Sequence, residues 1–191
     1  SFCNDLESIE FSDDSQLSKI SKHAFYRSNL QSITIPAKVK EIGDKSFYKC
    51  GSLQTVKFSE NSMLDEIGRN VFISSSITSI SIPSRVHKIG EYAFHECNNL
   101  KEIIFSEDSE ITSFEKNVFA FTWIENILIP KNVQSIGERS FAYCRNLKKV
   151  QFYENSELIS ISKEAFFNSS IEELYIPEHV LSLQEGWCSY T

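Results

Sequence analysis

The residues of this sequence that could do chemistry include five cysteines. Cys3, Cys50, Cys97 and Cys144 are each separated by 47 residues, and Cys188 falls outside that register. Positions that recur at a constant interval belong to a repeat, and neighbouring repeats of strands lie about 4.8 Å apart. Cysteines in alternate repeats would then be about 9 to 10 Å apart, whereas disulfides rarely join Cα atoms beyond about 7 Å. We therefore predict free thiols that act as small buried hydrophobes.

The histidines and the familiar catalytic motifs give no support for an active site. His23, His87, His95 and His179 occupy different repeat positions and share no metal-ligand spacing. The sequence has no G-x-S-x-G, no Walker-type glycine loop and no dinucleotide fingerprint. We expect no metal site, no cofactor and no enzyme activity.

Short acidic runs recur in alternate repeats, each followed by a serine. Their oxygens could ligate a cation, but Asp, Asn and Ser also bond the backbone of turns, and we favour the turn interpretation. The runs are Asp13-Asp14, Glu60-Asn61, Glu107-Asp108 and Glu154-Asn155, and the serines are Ser15, Ser62, Ser109 and Ser156.

The elements that must position these residues are repeats of an L-x-x-I-x-[FI] segment. Successive segments are 24 or 23 residues apart in strict alternation, so long and short units together give a 47-residue period. They begin at Leu6, Leu30, Leu53, Ile77, Leu100, Ile124, Leu147 and Ile171. The alternating β-branched residues predict a short strand in each unit. A proline ends it in the short units, at Pro36, Pro83, Pro130 and Pro177.

Each unit is too short to fold by itself. A βαβ unit needs roughly 30 residues, so strands of consecutive 23- or 24-residue units must stack directly. Ordering one unit costs on the order of 35 kcal/mol, whereas burying six apolar side chains returns about 9 to 18 kcal/mol. Stacked units share hydrogen bonds and bury each other's flanks, which predicts a solenoid.

One phenylalanine recurs at the same position of the units and predicts an aromatic ladder inside the solenoid. Recurrence in every unit indicates packing rather than a ligand cage, and truncation of one ring should cost about 3 to 5 kcal/mol. The ladder comprises Phe25, Phe47, Phe72, Phe94, Phe119, Phe141 and Phe166.

Charge and hydropathy exclude two partner classes. The formal net charge of -7 and the pI of about 5.2 argue against nucleic acid, whose binding modules concentrate Lys and Arg. No segment has the roughly 20 apolar residues that span a bilayer, so we expect no membrane insertion by this segment. The chain starts at Ser1 without a basic leader, and we interpret residues 1–191 as one repeat domain, a fragment whose terminal caps are absent.

The short unit resembles the BspA-like leucine-rich repeats of bacterial and trichomonad surface proteins. The residues that carry the resemblance are Ile82-Pro83, Ile89-Gly90, Ala93-Phe94 and Cys97, and most recur 47 residues later. It covers essentially the whole chain. The resemblance implies an α/β-type, strand-rich solenoid of about eight repeats, a right-handed superhelix with a concave parallel sheet. It further implies display at the cell surface or secretion, and attachment to a protein or host-surface ligand.

The candidate binding site lies where strand residues should face solvent. In L-x-x-I-x-F the third and fifth positions point outward. Apolar and aromatic residues appear at the fifth position only in the C-terminal half. An exposed apolar and aromatic strip often marks a partner site, although β-propensity alone could select the same residues. The candidates are Ile104, Leu128, Gln151, Tyr153 and Tyr175, with Lys149, Glu102 and Asn126 in the neighbouring column.

Three functions fit the sequence to different degrees. An adhesion or recognition module that binds through the concave sheet is the main hypothesis. A structural spacer that projects other domains of a larger surface protein is the alternative. A carbohydrate-active enzyme would need two carboxylates at a defined separation, and Glu102 and Glu125 are the nearest pair, with side chains that we expect to diverge.

Overall fold

The protein, described by a computed structural model over residues 4–191, is a strand-rich parallel solenoid of about seven turns. The solenoid predicted from the repeats is confirmed. Within residues 4–191 the coils contain strands and turns and no helix, so each coil presents two strand faces and one side of turns.

Four-residue strands form one face, which we call the long-strand face. All neighbours on it are parallel, and they begin every 23 or 24 residues as the repeat predicts. These strands are β2 (Ser32–Ile35), β4 (Thr55–Phe58), β6 (Ser79–Ile82), β8 (Glu102–Phe105), β10 (Asn126–Ile129), β12 (Lys149–Phe152) and the shortened β14 (Glu173–Leu174).

Two-residue strands form the second face, the short-strand face. These are β1 (Lys19–Ile20), β3 (Glu41–Ile42), β5 (Glu66–Ile67), β7 (Lys88–Ile89), β9 (Ser113–Phe114), β11 (Ser135–Ile136), β13 (Ser160–Ile161) and β15 (Ser182–Leu183). Glycine follows several of them because the backbones approach closely there. A Cβ at Gly90 would lie 2.7 Å from the amide nitrogen of Arg69 in the preceding coil.

Strand pairing on the long-strand face alternates between two kinds of step. From a short unit to the following long unit, four residue pairs form, as in β2–β4, β6–β8 and β10–β12; we call these paired steps. From a long unit to the following short unit, β4–β6 retains one pair, β12–β14 retains two, and β8 and β10 lie in separate sheets; we call these open steps.

Proline explains why the pairing alternates. At the first paired step the amide of Ser59 donates to the carbonyl oxygen of Ile35 at 3.0 Å, which extends the ladder beyond the strand. At the first open step the corresponding residue of β6 is Pro83, which has no N–H to donate to Phe58. The prolines that end short-unit strands therefore also weaken the contact with the preceding coil.

The third side of each coil consists of two turns that surround the ladder phenylalanine. Residues two positions before and after it have left-handed backbones, as for Tyr92 (φ 59°) and Glu96 (φ 58°) around Phe94. Such φ values are unfavourable for residues other than glycine. They are offset by hydrogen bonds between coils, since the amides of Tyr92, Phe94 and Glu96 all donate to carbonyls of the next coil.

The seven ladder phenylalanines stack along this side inside the solenoid. All except Phe25 are fully buried, and consecutive ring centroids are 5.1 to 5.7 Å apart. The eighth position, between the left-handed Gly186 and Tyr190, is Cys188. There the neighbouring Trp187 covers the edge of Phe166, with centroids 6.3 Å apart.

Cys50, Cys97 and Cys144 are buried free thiols, as predicted, whereas Cys3 lies outside the described residues. Each sulfur hydrogen-bonds the preceding long unit. Cys97 donates to the Phe72 carbonyl at 3.0 Å, and the Ser75 hydroxyl lies 3.3 Å from its sulfur. Burial raises the pKa of Cys97 to about 12, which keeps it a thiol.

Candidate functional site

Three large apolar side chains point outward from the long-strand face. The exposed fractions are 45% for Ile104, 42% for Leu128 and 79% for Tyr175. Ile104 lies on β8 and Leu128 on β10, whose strands alternate exposed and buried side chains. The strand periodicity therefore holds these side chains in solvent while their sequence neighbours fill the core.

The polar candidates form a row beside them. Glu102, Asn126, Lys149 and Gln151 are all exposed, and the register aligns Asn126 with Lys149 and Lys149 with Glu173. The ammonium of Lys149 lies 3.7 Å from the carboxylate of Glu173. Since both side chains are exposed, this pair contributes little to folding and leaves both groups accessible to a partner.

Four of the predicted residues come together around a depression at the last open step. We call it the second depression, because another lies nearer the N-terminus. It has a volume of about 520 Å³ and is lined by Lys149, Gln151, Tyr153 and Tyr175, together with residues such as Val150 and Phe152. Its rim also carries Glu154, Glu173, Glu178 and His179. Ile104, Leu128, Glu102 and Asn126 do not line it. Leu128 and Asn126 lie on β10, one coil before β12, and Ile104 and Glu102 lie on β8, two coils before it.

Sequence reasoning missed an equivalent depression at the first open step. This first depression, of about 830 Å³, lies between β4 and β6, with exposed Lys57, Met63 and Arg85 on its rim. Serine hydroxyls make up much of the remaining lining. Arg85 also pairs with Asp65 at 3.3 Å, outside the depression. Pro83, which ends β6, marks the open step, but Pro130 occupies the same position at the middle step, so proline alone does not locate the depression.

At the middle open step, between β8 and β10, a side-chain hydrogen bond links the two units where the strands do not pair. The Asn132 amide donates to the Ser109 carbonyl at 2.7 Å and so bridges the gap between the two units. Pro130 is buried there, whereas Pro83 and Pro177 at the two depressions are partly exposed. The position of Asn132 is held by Lys38, Arg85 and His179 in the other three short units.

The acidic runs form turns, as the serine pattern suggested. Ser15 and Ser109 close a turn by donating their amides to the carbonyls of Ser12 and Ser106. A hydrogen bond from Ser106, followed by weaker effects that include nearby Lys131, lowers the pKa of Asp108. Among residues 4–191 no three His, Cys, Asp or Glu side chains converge as metal ligands would.

A second aromatic strip runs along the turn side, and sequence reasoning did not identify it. Phe121 stacks on Tyr143 with centroids 4.4 Å apart, and His95 and Phe167 continue the row on either side. Phe121 is exposed, while burial lowers the pKa of His95. The contacts among these rings join neighbouring coils, which gives them a packing role.

The sequence pattern and the coil geometry agree with one family. The profile of the BspA type leucine-rich repeat region matches residues 1–72 and 65–190, with 6 copies. The chain belongs to the BspA-type leucine-rich repeat family. Repeat modules of this kind suggest protein interaction, and their fold is typically non-catalytic. No curated protein matches this BspA-type chain.

Solved bacterial structures share the BspA-type fold at low sequence identity. The pneumococcal vaccine antigen PcpA has a TM-score of 0.61 and 22% identity, covering 94% of this chain and 53% of its own. A leucine-rich cell surface protein of Faecalibacterium prausnitzii has a TM-score of 0.57 and 21% identity, covering 89% and 61%. A leucine-rich repeat protein of Eubacterium ventriosum has a TM-score of 0.61 and 17% identity, covering 97% and 65%.

The BspA-type chain thus spans between about half and two-thirds of the length of these relatives, which it resembles in fold. Within residues 4–191 no helix has the length and apolar character needed to cross a membrane.

Proposed function

We propose that this chain is a non-catalytic recognition module that binds a surface-exposed protein ligand through the long-strand face. The binding residues would be Ile104, Leu128, Tyr153 and Tyr175, with Glu102, Asn126, Lys149 and Gln151 as the polar surround. Display at the cell surface or secretion is part of the proposal. Family membership and the description of the F. prausnitzii relative as a cell surface protein support it.

The observation that carries the proposal is the exposure of Ile104, Leu128 and Tyr175 on stacked strands. The corresponding outward residues of the N-terminal coils are polar, as in Thr34, Lys57 and Ser81. Strand propensity acts equally on all coils, so it does not explain why apolar residues occupy only one half. A partner that buries these side chains removes apolar surface from water, and this burial favours binding.

The stacked backbone favours this surface as a binding site. Outward side chains of the stacked coils are held on short segments whose other face fills the core. A partner therefore loses little free energy in ordering the surface, and aromatic and apolar residues on such surfaces often act as hot spots.

The experiment is capture from host-cell and matrix extracts with the purified chain as bait. In parallel, Leu128→Ser with Tyr175→Ser tests the face. The matched control is Ile159→Ser with Leu181→Ser, which removes two side chains that are 44% and 83% exposed on or beside the short-strand face. Each hot spot contributes about 2 kcal/mol, so we expect the first variant to lose at least about 30-fold in affinity.

The control variant should retain the captured partner, and both variants should unfold at nearly the wild-type temperature. Equal loss of binding in the two variants would move the site off this face. Capture of no protein by the wild-type chain would favour the alternative, a spacer that projects other domains.

A further inference from the structure

The two depressions of the long-strand face are opposite in charge. The first carries the cations Lys57 and Arg85 with serine hydroxyls, and no carboxylate lines it. Arg85 pairs with Asp65, which lies outside the depression, so Lys57 supplies the remaining positive charge. The second carries Glu154, Glu173 and Glu178 against the single ammonium of Lys149. Lys149 is paired with Glu173, so the second depression retains two carboxylates without a cation among its lining residues.

Their chemistry differs in the same sense as their charge. The hydroxyls and cations of the first depression suit a carboxylate, which accepts hydrogen bonds from both. In the second depression, Tyr175 is highly exposed beside Glu178, and Tyr153 lies partly exposed beside Glu154. Tyrosine rings and carboxylates together favour an Arg or Lys side chain, through cation–π contact and charge-assisted hydrogen bonds.

The spacing between the depressions is set by the solenoid. The first lies between β4 and β6 and the second between β12 and β14, four coils apart along the stack. At about 4.8 Å per coil, their centres are about 19 Å apart. An extended polypeptide rises about 3.3 Å per residue, so about six residues span that distance.

Two exposed apolar side chains lie midway between the depressions. Ile104 and Leu128 project there on either side of the middle open step. The Asn132–Ser109 hydrogen bond joins the two units at this step. A segment that crosses the face would meet cations, then two apolar side chains, then carboxylates with tyrosines.

We propose that the partner places on this face an extended segment with an Asp or Glu in the first depression and an Arg or Lys, about six residues away, in the second. An apolar residue between them would contact Ile104 and Leu128. This inference rests on the proposed function and specifies the chemistry of the ligand. Simultaneous occupation of both depressions makes affinity depend on the separation of the two charges.

The test uses synthetic capped peptides with one Glu, one central Leu and one Arg in a Ser/Gly background. The Glu–Arg separation is varied from two to nine residues, and both chain orders are made. Binding to the full chain is measured by fluorescence anisotropy at low and high salt. We expect a separation near six to bind about tenfold more tightly than a separation of three, and the preference to weaken with salt.

Charge reversal supplies the matched control. Lys57→Glu with Arg85→Glu makes both depressions acidic while their rims stay exposed. This variant should lose the preference for a Glu–Arg separation near six and should bind an Arg–Arg peptide of that separation more tightly than the wild type does. Its unfolding curve should match the wild type. A variant of Lys57 and Arg85 to Gln should lose the preference if the reversal does not fold.

Affinity that is independent of charge separation, or unchanged by the charge substitutions, would overturn the inference. Self-association of the chain on sedimentation, competing with the peptides, would assign the face to a second copy and also overturn it. These outcomes are distinguishable from failure of the proposed function. If binding of a captured protein still depends on Leu128 and Tyr175, the proposed function is retained even though the peptide inference has failed.

Discussion

Paired and open steps of the same solenoid hold neighbouring coils together by different means. At paired steps the long strands form four residue pairs, as between β6 and β8. At the open step between β4 and β6 only Thr55 and Ser79 pair, and Pro83 has no amide to donate. The coils remain stacked at both, so other contacts must replace the missing ladder.

The replacement lies on the turn side of the solenoid. Cys97 donates to Phe72 and Cys144 donates to Phe119, and both bonds cross open steps. In long units the same position holds Thr122 or Ser169, whose hydroxyls bond within their own coil. The 47-residue period therefore has a structural meaning: proline opens one edge of a step, and cysteine holds the opposite edge.

The phenylalanine ladder follows the same alternation. Ring centroids are 5.2 Å apart across the open steps Phe72–Phe94 and Phe119–Phe141. They are 5.3 to 5.7 Å apart across paired steps. A step that opens on the long-strand face is thus slightly closer on the turn side.

The most severe way to break this arrangement is Phe94→Ala. The ring is fully buried and stacks on Phe72 across an open step, where few strand pairs compensate for its loss. We expect the free energy of unfolding to fall by about 3 to 5 kcal/mol, measured by urea denaturation with circular dichroism. The denaturant slope should also decrease, since coils on the two sides lose their coupling.

Tyr175→Ala is the control for Phe94→Ala, because it removes an exposed ring. It should cost less than about 0.5 kcal/mol. A loss below about 1 kcal/mol for Phe94→Ala would contradict a supporting role of the ladder at open steps.

Alkaline pH tests the cysteine side of the comparison. Burial raises the pKa of Cys97 to about 12 and that of Cys144 to about 11 from an ordinary value of 9.0. Because the unfolded thiols ionise first, stability is complete below pH 9 and declines as pH rises toward the folded values. From pH 8 to 9.5 the two thiols should cost about 1.5 kcal/mol together.

Other groups titrate in the same range, so the measurement is a difference. Urea unfolding of the wild type is compared with that of Cys97→Ala combined with Cys144→Ala at each pH. The variant should be less stable at pH 8 but should lose less stability between pH 8 and 9.5. If the free energy of unfolding falls equally with pH in the two proteins, ionisation of the thiols does not contribute to the loss of stability.

The strands and the ladders could be predicted because each depends on a residue that recurs at a fixed interval. The 47-residue spacing of Cys97 and Cys144 placed both in equivalent coils, and alternating residues located strands such as β10. The depressions could not be predicted in this way. Pro83 marked the end of a strand, but its effect on Phe58 depends on which carbonyl lies opposite in the preceding coil.

The left-handed turns were also beyond sequence reasoning. Residues such as Tyr92 and Phe121 have no intrinsic preference for a positive φ, and hydrogen bonds to the next coil impose it. The outward apolar residues were placed correctly on the long-strand face by strand alternation. Which of them share a depression was decided by the open steps.

The mildest test converts the middle open step into the kind found at the depressions. Asn132→Ala removes the hydrogen bond to the Ser109 carbonyl, a loss that costs about 1 kcal/mol. We expect faster hydrogen exchange at the amides of Asn126–Ile129 and a small decrease in urea stability. The control, Asn155→Ala, changes an exposed asparagine in a turn and should leave both unchanged. If the exchange rates of β10 do not respond, the step is held closed by its backbone and not by Asn132, and the difference between the middle step and the depressions has another origin.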